Sequence, residues 1–356
     1  MSRLAPQIVL VHTEPFDTPL HNPFVTSQGA TSMAHGVRII LTLDNGIIAT
    51  GESVPVQYVT GETIANVQET IAALMPYLIG MEPTRWRSAF SDISFFAKNA
   101  PSARCGVEMA ILDAFTQITG TTFHQLCGSA VPSAESDLTI PIVANAAQLA
   151  AQAREMGFEV FKIKVGDVDL DADFARVMAV HEAVPGAYLR IDANQAFTAE
   201  GALAFVDRLL QAGVELELLE QPVAADDFEG MVRVAERCPV PVFADESCRT
   251  PQHALAFAQT PVQGFNCKIN KSGIAGVLDI VTIARVTGKK LMLGCMLETR
   301  RSIAVSLALA CGTGAFDFID LDSHLLLNEG GDNLYFTQDG PDMTLPTEVR
   351  GVRDSR

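Results

Sequence analysis

Long apolar runs and an export signal are both missing from this 356-residue chain. No stretch of about 18 apolar residues is present, so the sequence predicts no membrane-spanning helix. Residues 1–11 lack the basic start, the apolar middle and the small-residue cleavage site of a secretory signal. We therefore expect a cytoplasmic protein that does not enter the membrane.

Paired cysteines are also missing. The seven cysteines are scattered, and the sequence contains no Cys-x-x-Cys pair that would clamp zinc or exchange disulfides. An odd number of scattered cysteines in a cytoplasmic protein is typical of reduced thiols that pack as small apolar residues. We expect all seven to be reduced and most of them to be buried.

Positive charge is scarce. The chain has 25 Lys and Arg against 42 Asp and Glu, a formal net charge of −17. Such a field repels phosphate backbones and anionic membrane surfaces, so neither nucleic acid nor membrane is an expected partner. With 48% hydrophobic and 19% charged residues, the composition is that of an ordinary globular protein. The length suits two domains, or a barrel with an appended unit.

The first third of the chain predicts a mixed α+β unit. Residues 38–43 alternate in polarity, Asp44-Asn45-Gly46 suits a turn, and residues 47–51 return, which is typical of a hairpin. Apolar residues then recur at helical spacing over 63–81 and 103–118. We expect a capping domain over residues 1–128, completed by the turn-rich tail at 330–356.

From residue 129 to 329 the sequence alternates between short apolar runs and helical patterns such as 171–184 and 273–287, with Ser272 as the expected N-cap of the second helix. An open doubly wound sheet is the alternative, but the glycines around Gly312 and Gly314 lack the third glycine of a dinucleotide loop. Eight strands are what a closed barrel needs, so we predict an α/β fold of the (β/α)8 barrel type, a modified TIM barrel. The candidate strands are 138–143, 160–165, 188–192, 216–220, 240–245, 264–268, 290–294 and 316–322.

Two lysines share one face of the second predicted barrel strand. Lys162 and Lys164 are two residues apart, and strand side chains alternate between faces. On an ordinary strand they would be surface lysines, but a barrel strand has no solvent face. Burial and the neighbouring like charge favour the neutral amine there, which can bring the pKa of a lysine to about 7 to 8. The pair is therefore a candidate for proton transfer.

Three further strands end in carboxylates: Asp192, Glu220 and Asp245. Each lies about one strand–helix unit from the next, so we expect all three to meet at the carboxyl-terminal rim of the barrel. A single such acid could simply cap the next helix. Three in succession, with oxygen donors only, indicate Mg²⁺.

Lys268 and an aspartate pair complete the set. Lys268 ends the sixth strand, which lies opposite the second in an eightfold ring, so a bound substrate would have an amine on each side. Lys271 is expected at the surface. Asp320 and Asp322 share a face of the last predicted strand and suit a substrate with an ammonium at one end and a carboxylate at the other, although ordinary loop aspartates are the alternative.

This constellation resembles the muconate-lactonizing subgroup of the enolase superfamily, over essentially the whole chain. Asp320-Leu321-Asp322, following residues 294–299, is similar to the pattern in the dipeptide epimerases of that subgroup, such as L-Ala-D/L-Glu epimerase. The resemblance implies an isomerase that inverts the α-carbon of a dipeptide's second residue through an enolate. An N-acylamino acid racemase, a muconate cycloisomerase, an o-succinylbenzoate synthase or a non-catalytic binding protein are the alternatives.

The resemblance also implies a role for each residue. Lys164 and Lys268 would exchange the α-proton, with Lys162 as a further positive charge. One Mg²⁺ per subunit would bind Asp192, Glu220 and Asp245 and hold the substrate carboxylate. The substrate contacts would be Asp320, Asp322, Thr139, Cys295, Met296 and Leu297, and the supports of the metal ligands would be Asn194 and Glu246.

Two loops of the capping domain, residues 23–29 and 55–60, would select the side chains of the substrate by the same resemblance. Acid-specific members carry an arginine in the first loop, whereas residues 23–29 here contain no basic residue, which argues against an anionic second residue. Arg300 and Arg301, just past the seventh strand, are the alternative partners for such a residue, but we expect them to face solvent at the start of a helix. Members of the superfamily often form homo-oligomers, and the sequence leaves both the oligomeric state and the dipeptide open.

Overall fold

A three-stranded antiparallel sheet and the helices that follow it form an N-terminal unit, here called the cap. The computed structural model describes residues 5–167, 169–329 and 335–346. The predicted hairpin at residues 38–51 is confirmed as part of two longer strands. The strands of the cap are β1 (Ile8–Thr26), β2 (Gly29–Leu43) and β3 (Ile48–Ser53), and its helices are α1 (Gln57–Thr60), α2 (Ile64–Leu78), α3 (Trp86–Phe96), α4 (Pro101–Thr119) and α5 (Phe123–Cys127), with a 3₁₀ turn at Pro83–Arg85.

Helix α4 is the central helix of the cap and is buried along most of its length. It packs against β3 at two glycines, because a Cβ at Gly51 would overlap the carbonyl oxygen of Gly106. The carboxylate of Glu62 accepts hydrogen bonds from the backbone N–H groups of Ser102 and Ala103, at 2.8 and 3.0 Å. These bonds satisfy free donors in the first turn of the helix.

The β1–β2 hairpin extends from the cap to the second unit. Its register shifts between Pro19 and Phe24, and its tip lies at Ser27 and Gln28. Ser27 Oγ and Gln28 Nε2 donate to the carbonyl oxygen of Asn194, at 2.9 and 2.8 Å. The tip is therefore held against the loop that follows one of the barrel strands.

The second unit is a curled sheet of eight parallel strands. The order along the sheet is that of the sequence, and every predicted barrel strand is present. Strand β4 (Ser133–Glu135) belongs to a separate small sheet. The barrel strands are β5 (Leu138–Ile140), β6 (Val160–Lys164), β7 (Tyr188–Asp192), β8 (Leu216–Glu220), β9 (Val242–Ala244), β10 (Gly264–Cys267), β11 (Lys290–Leu293) and β12 (Phe318–Ile319).

Helices alternate with these strands and cover the sheet, which confirms the predicted barrel-type α/β fold with an N-terminal cap. The first and last strands meet where the backbone N–H of Asp137 donates to the carbonyl oxygen of Ile319, at 3.0 Å. The helices are α6 (Ala146–Glu155), α7 (Leu170–Ala183), α8 (Ala199–Gln211), α9 (Phe228–Arg237), α10 (Pro251–Phe257), α11 (Ile269–Ser272), α12 (Ile274–Thr287) and α13 (Arg300–Thr313), with a 3₁₀ turn at Ser323–Leu325.

The prediction that Ser272 caps helix α12 is wrong. Ser272 ends the short helix α11, and Gly273, with φ of 75°, separates the two helices. The first N–H groups of α12 instead donate to Oε2 of Glu108 on α4, at 2.5 Å from Ile274 and 3.2 Å from Ala275. A carboxylate from the N-terminal unit thus satisfies the first N–H groups of this helix and connects the two units.

The last described segments of the chain contact both units. Strands β13 (Thr337–Asp339) and β14 (Asp342–Thr344) form a small sheet with β4, whereas the segment before them pairs with β1 at Leu20 and Leu327. The predicted tail includes residues 330–334 and 347–356, which lie outside the described residues. The division into domains at 128 and 329 stays a prediction.

All seven cysteines are free, and four of them are buried. None of the helices in the described part of the chain combines the length and the apolar character needed to cross a membrane.

Candidate active site

A cavity of about 300 Å³ lies between the cap and the carboxyl ends of the barrel strands. Its size suits a small-molecule ligand at the lower end of the usual range for binding pockets, about 300–1,000 Å³. The barrel side, here called the floor, brings together five residues that the sequence singled out. They are Lys162, Lys164, Lys268, Asp320 and Asp322.

Lys164 reaches the floor from the end of β6. Because side chains alternate along the strand, Phe161 and Ile163 are buried on the other face, while Lys162 and Lys164 lie on the inner one. Lys164 is paired in register with Asp192 of β7, and its Nζ lies 2.5 Å from Asp192 Oδ2. The ammonium and the first predicted metal ligand therefore form an ion pair.

Lys268 and Lys271 both contact Asp245. Lys268 Nζ lies 2.7 Å from Asp245 Oδ2, and Lys271 Nζ lies 2.5 Å from Asp245 Oδ1. Lys271 also donates to the carbonyl oxygens of Asp245 and Asn266, at 2.7 and 2.6 Å. The prediction that Lys271 is a surface residue is wrong: its exposed fraction is 0% because the short helix α11 turns it back under the strand ends.

Lys162 connects the two ends of the floor. Its ammonium is hydrogen-bonded to Oδ2 of Asp320, and it lies 3.6 Å from Oε2 of Glu220. One cation thus lies between the aspartate pair and the predicted metal ligands. Its own side chain is almost fully buried.

The pKa values of the lysines differ from the expected direction. Burial, the largest single influence, lowers the pKa of Lys164 and of Lys268, but the surrounding carboxylates together outweigh it and raise both above their ordinary value. These are chiefly Asp192 and Glu220 for Lys164, and Asp245 and Glu220 for Lys268. Lys162 does lower the pKa of Lys164, though by less than Asp192 raises it. The expectation of a pKa near 7 to 8 is therefore wrong for this arrangement, because each amine has a carboxylate partner.

The three predicted metal ligands follow neighbouring strands but do not form a ready cluster. Asp192 and Glu220 are register partners, and Asp245 follows the next strand, β9. In the described residues, no three His, Cys, Asp or Glu side chains are gathered closely enough to hold a metal ion. All three acids instead have a lysine partner, at 2.5–2.7 Å for Asp192 and Asp245 and at 3.6 Å for Glu220.

Several buried oxygens of the floor nevertheless suit a hard cation. Four of them accept no hydrogen bond, although one, Glu220 Oε2, faces the Lys162 ammonium. Buried polar atoms without partners are rare in folded proteins, and carboxylate and amide oxygens are the donors that Mg²⁺ prefers. The donor chemistry therefore fits the ion. The four oxygens are Glu220 Oε2, Glu246 Oε2, Asn194 Oδ1 and Asn266 Oδ1.

Crowding of acids has a clear electrostatic effect here. Burial, then the charge of Asp192, raises the pKa of Glu220 to about 7. Burial, then the charges of Asp245 and Asp192, raises the pKa of Glu246 to about 8. A nearby cation would stabilise the ionised form of both carboxyls.

Residues after the strand ends hold these acids in place. Asn194 donates from its backbone N–H to Asp192 Oδ1, at 2.9 Å, and from Nδ2 to Glu246 Oε1, at 3.3 Å, as expected of a supporting residue. Asn194 and Gln221 both have positive φ, 41° and 35°, an unusual conformation for residues other than glycine. Such strain is common at functional sites.

Sequence reasoning missed two of the supports. Gln221 Oε1 accepts the backbone N–H groups of Asp245 and Ser247, at 2.9 and 3.0 Å, which orients the loop that carries Asp245. Asn266 Nδ2 donates to Glu220 Oε1, at 2.6 Å. Gln221 directly follows Glu220, and Asn266 lies two residues before Lys268 in β10, so their closeness to predicted site residues is the signal that could have found them.

The aspartate pair lies at the opposite end of the floor. Thr139 donates its backbone N–H to Asp322 Oδ2, at 2.6 Å, and its hydroxyl lies 3.5 Å from Asp320 Oδ1. Burial and then the charge of Asp320 raise the pKa of Asp322 to about 6. Burial tends to raise the pKa of Asp320, but Lys162, Lys268 and Lys164 together outweigh it, so the pKa of Asp320 is lowered.

The segment after β11 lines the cavity beside this pair. Cys295, Met296 and Leu297 are all in contact with the cavity, as predicted for substrate-facing residues. Cys295 Sγ donates to the carbonyl oxygen of Asp320, at 3.3 Å. Gly294 is needed before them, since a Cβ there would lie 2.7 Å from Asn266 Oδ1 and 3.0 Å from Asp320 Oδ2.

The cap closes the cavity with the two predicted loops. The second loop is tied to the barrel at both ends: Val54 N–H donates to Asn270 Oδ1, at 2.8 Å, and Arg249 donates to the carbonyl oxygen of Val59, at 3.2 Å. Tyr58 lies between these contacts. As a residue it is 48% exposed, yet burial raises the pKa of its hydroxyl, with Lys164 as the next largest influence. Tyr58 therefore lines the cavity while part of the residue remains exposed.

The expectation that Arg301 faces solvent is wrong, whereas Arg300 is half-buried. Arg301 is buried, with its Nε 3.7 Å from Oε1 of Glu52. Arg300 donates to the carbonyl oxygen of Phe336, at 2.9 Å. Both pack at the junction of α13 with the cap and the tail, because Glu52 and Phe336 are buried partners there. Neither lines the cavity.

Two family models match most of this chain. Residues 8–128 match the family described as mandelate racemase / muconate lactonizing enzyme, N-terminal domain, and residues 145–347 match the enolase C-terminal domain-like family. The chain belongs to the enolase superfamily. This confirms the resemblance found in the sequence, and the named relatives make the protein an isomerase.

Two curated relatives of this superfamily member show how far the similarity extends. An aromatic dipeptide epimerase of Herpetosiphon aurantiacus is 34% identical over 90% of this chain and 91% of its own. An L-Ala-D/L-Glu epimerase of Thermotoga maritima is 36% identical over 90% of this chain and 93% of its own. The relatives support epimerase activity, while their names differ in the side chain of the dipeptide.

Solved structures agree in fold over almost the whole chain. A mandelate racemase/muconate lactonizing protein from Herpetosiphon aurantiacus has a TM-score of 0.93 at 33% identity, and the match covers 97% of both chains. A dipeptide epimerase from Enterococcus faecalis V583, complexed with Mg and L-Leu-L-Tyr, has a TM-score of 0.91 at 30% identity and covers 97% and 98% of the two chains.

Proposed function

We propose that the protein is a Mg²⁺-dependent dipeptide epimerase that inverts the α-carbon of the second residue. The observation that carries this proposal is the floor of the cavity, where Lys164 and Lys268 come from strands β6 and β10 with three strands between them, and Asp320 and Asp322 lie beside them. In this proposal residues 1–128 cap the site and residues 129–329 carry the chemistry.

The two lysines would move the proton. An amine on one side of the α-carbon removes its proton, which leaves an enolate, and an ammonium on the other side delivers a proton to the opposite face. The product is the other epimer, and the two lysines end with their protonation states exchanged. A two-base arrangement of this kind acts in both directions, since either lysine can be the base.

Each lysine must lose a proton before it can act as the base. In their present ion pairs, Asp192 and Asp245 favour the charged amines. A lysine whose carboxylate partner is engaged by another cation loses that stabilisation, and burial then favours the neutral amine. Lys162, close to Lys164 and Glu220, would add a positive charge near the enolate oxygens.

Asp192, Glu220 and Asp245 are the residues that would hold Mg²⁺, one ion per subunit, with Asn194 and Glu246 supporting them. The donor set and its buried oxygens without partners support this assignment. When bound, the ion stabilises the negative charge that develops on the substrate carboxylate as the α-proton leaves.

Asp320 and Asp322 would bind the ammonium of the first residue, with Thr139, Cys295, Met296 and Leu297 beside it. Two carboxylates at this end of a cavity with cations at its other end match the charges of a dipeptide zwitterion. Substrates of the alternative reactions, such as N-acylamino acids or muconate, carry no ammonium. This difference in charge is why the dipeptide is preferred here.

Proton exchange in deuterated water tests the proposal. Incubated with Mg²⁺ in ²H₂O, L,L-dipeptides should gain one deuterium at the α-carbon of the second residue and convert in part to the L,D-epimer, as followed by ¹H NMR. An N-acetyl dipeptide should exchange far more slowly. Absence of exchange with every dipeptide, or equal exchange with the acetylated form, would argue against this function.

The lysine variants assign the faces. Lys164→Ala and Lys268→Ala should each lose epimerisation by at least about a thousandfold, within the range of general acid–base contributions. Each variant should still exchange the α-proton of only one epimer, and the two variants should prefer opposite epimers. Lys98→Ala, at an exposed position of the cap, is the matched control and should keep full activity. Preference of both variants for the same epimer would contradict the two-sided arrangement.

A further inference from the structure

The direction of the second residue's side chain follows from the site. Four groups surround the α-carbon that reacts: a hydrogen, a carboxylate, an amide nitrogen and the side chain. In the proposed function the hydrogen points at one of the two lysines, and the carboxylate points at the Mg²⁺ that the acids around Glu220 would hold. The amide leads towards Asp320 and Asp322. All three directions lie on the barrel floor, so the side chain points at the cap.

The cap side of the cavity, here called the cap wall, is mainly apolar. Of its apolar residues, Phe24 and Met33 come from the β1–β2 hairpin and the others used here from residues 54–59, while the hairpin also contributes the uncharged polar side chains of Thr26, Gln28 and Thr31. Val54 and Val59 also pack with Met296 in a small hydrophobic cluster, so this part of the wall is a packed surface. The residues used here are Phe24, Met33, Val54, Val56, Tyr58 and Val59.

Charge is nearly absent from this wall. Among the described residues of the cap that line the cavity, none is Lys, Arg, Asp or Glu, and the one histidine, His35, is exposed and lies 2.6 Å from Asp17. A charged substrate side chain placed there would lose water without gaining a Lys, Arg, Asp or Glu of opposite charge as its partner. Burial of an unpaired charge is unfavourable, whereas burial of an apolar side chain is favourable.

We propose that the substrates are dipeptides whose second residue has an apolar side chain, aliphatic or aromatic, which packs against the cap wall. This inference rests on the proposed epimerase function and adds the substrate class. Similarity alone does not decide it, because the relatives' names range from Glu to aromatic residues.

A cationic side chain is the strongest competitor. Glu246 lines the same cavity, is buried, and has one oxygen without a hydrogen-bond partner. However, Glu246 follows Asp245 on the barrel and its other oxygen is bonded to Asn194, so it lies among the acids of the floor. A substrate side chain that points at the cap therefore points away from Glu246.

A four-member substrate panel tests the inference. We would measure kcat/KM for L-Ala-L-Leu, L-Ala-L-Phe, L-Ala-L-Glu and L-Ala-L-Lys with Mg²⁺, following the appearance of the L,D-epimers. The expected result is at least a tenfold advantage of the Leu and Phe substrates over both charged ones. A Glu or Lys substrate that equals or exceeds them overturns this inference and leaves the epimerase intact. No turnover of any member overturns both.

A charge placed on the cap wall provides a second measurement. Val56→Lys should raise the ratio of kcat/KM for L-Ala-L-Glu to that for L-Ala-L-Leu by at least tenfold, because a carboxylate side chain then has a partner. Ile48→Lys makes the same change at an exposed position of β3 that does not line the cavity, and should leave the ratio unchanged. Equal ratios in both variants would show that the side chain does not meet this wall.

Discussion

The floor and the wall of one cavity are built in opposite ways. The floor consists of buried charges at the ends of parallel strands, most of them held by a partner of opposite sign, such as Lys164 with Asp192 or Lys268 with Asp245. The wall consists of apolar side chains on a hairpin and a short loop, such as Phe24 and Val56. We interpret the floor as the part that performs the reaction and the wall as the part that selects the substrate.

The floor and the wall also differ in how their residues are held in place. Floor residues are placed by strand register, so Lys164 lies across from Asp192 and Asp192 across from Glu220. Wall residues of the second loop depend on a few contacts with the barrel, at Asn270 and Arg249. A substitution on the floor should therefore lower stability or catalytic efficiency more than a substitution that weakens the attachment of the wall. Three predictions test this order, from the largest expected effect to the smallest.

Lys271→Met should destabilise the protein most. Its ammonium holds Asp245 and the carbonyl oxygen of Asn266, and it is fully buried. Removing one partner of a buried ion pair leaves a buried charge short of compensation, so we expect the free energy of unfolding to fall by about 3 kcal/mol or more. Urea denaturation monitored by circular dichroism would measure it.

The matched control for that variant is Lys98→Met, which removes an exposed lysine of the cap. Its free energy of unfolding should stay within about 0.5 kcal/mol of the unchanged protein. If Lys271→Met were equally stable, the floor would not depend on paired charges, and the contrast with the wall would lose its basis.

Asp322→Asn should lower catalytic efficiency without unfolding the protein. Asparagine can still accept the backbone N–H of Thr139, which Asp322 accepts at 2.6 Å, but it carries no charge for the substrate ammonium. Hydrogen bonds to charged groups are worth about 1.5–3 kcal/mol, so kcat/KM for a dipeptide should fall by about 10- to 100-fold, mostly through KM. Steady-state kinetics would measure this.

Asp226→Asn is the control for this change, because Asp226 is exposed and does not line the cavity. It should leave kcat/KM unchanged. An N-acetyl dipeptide supplies the complementary comparison: its low activity should be the same in the Asp322→Asn variant and the unchanged protein. A large loss with the acetylated substrate as well would mean that Asp322 does not act through the ammonium.

Strand and site positions on the floor were predictable from the sequence because both follow from simple periodicities. Alternation along a strand placed Lys162 and Lys164 on one face, and the repeat of strand and helix placed Asp192, Glu220 and Asp245 on neighbouring strand ends. These positions need no knowledge of side-chain conformation.

The predictions that were wrong depended on contacts between residues that are distant in the sequence. The pKa of Lys164 and of Lys268 could not be predicted because it depends on carboxylates from neighbouring strands rather than on burial alone. Lys271 was misjudged because its burial requires the turn of α11 beneath the strand ends. Likewise, Glu108 from the cap, and not the adjacent Ser272, caps helix α12. Each case involves a partner far away in the sequence.

Arg249→Ala should have the smallest effect, and it tests the attachment of the wall. Arg249 donates to the carbonyl oxygen of Val59 at 3.2 Å, while the bond between Val54 N–H and Asn270 remains in the variant. Loss of one hydrogen bond is worth about 0.5–1.5 kcal/mol, so we expect KM for an apolar dipeptide to rise by about two- to tenfold with kcat nearly unchanged. Arg233→Ala, at an exposed position of α9, should change neither constant. A large drop in kcat instead would mean that the second loop also positions the reacting groups, and the separation between a reacting floor and a selecting wall would then be too simple.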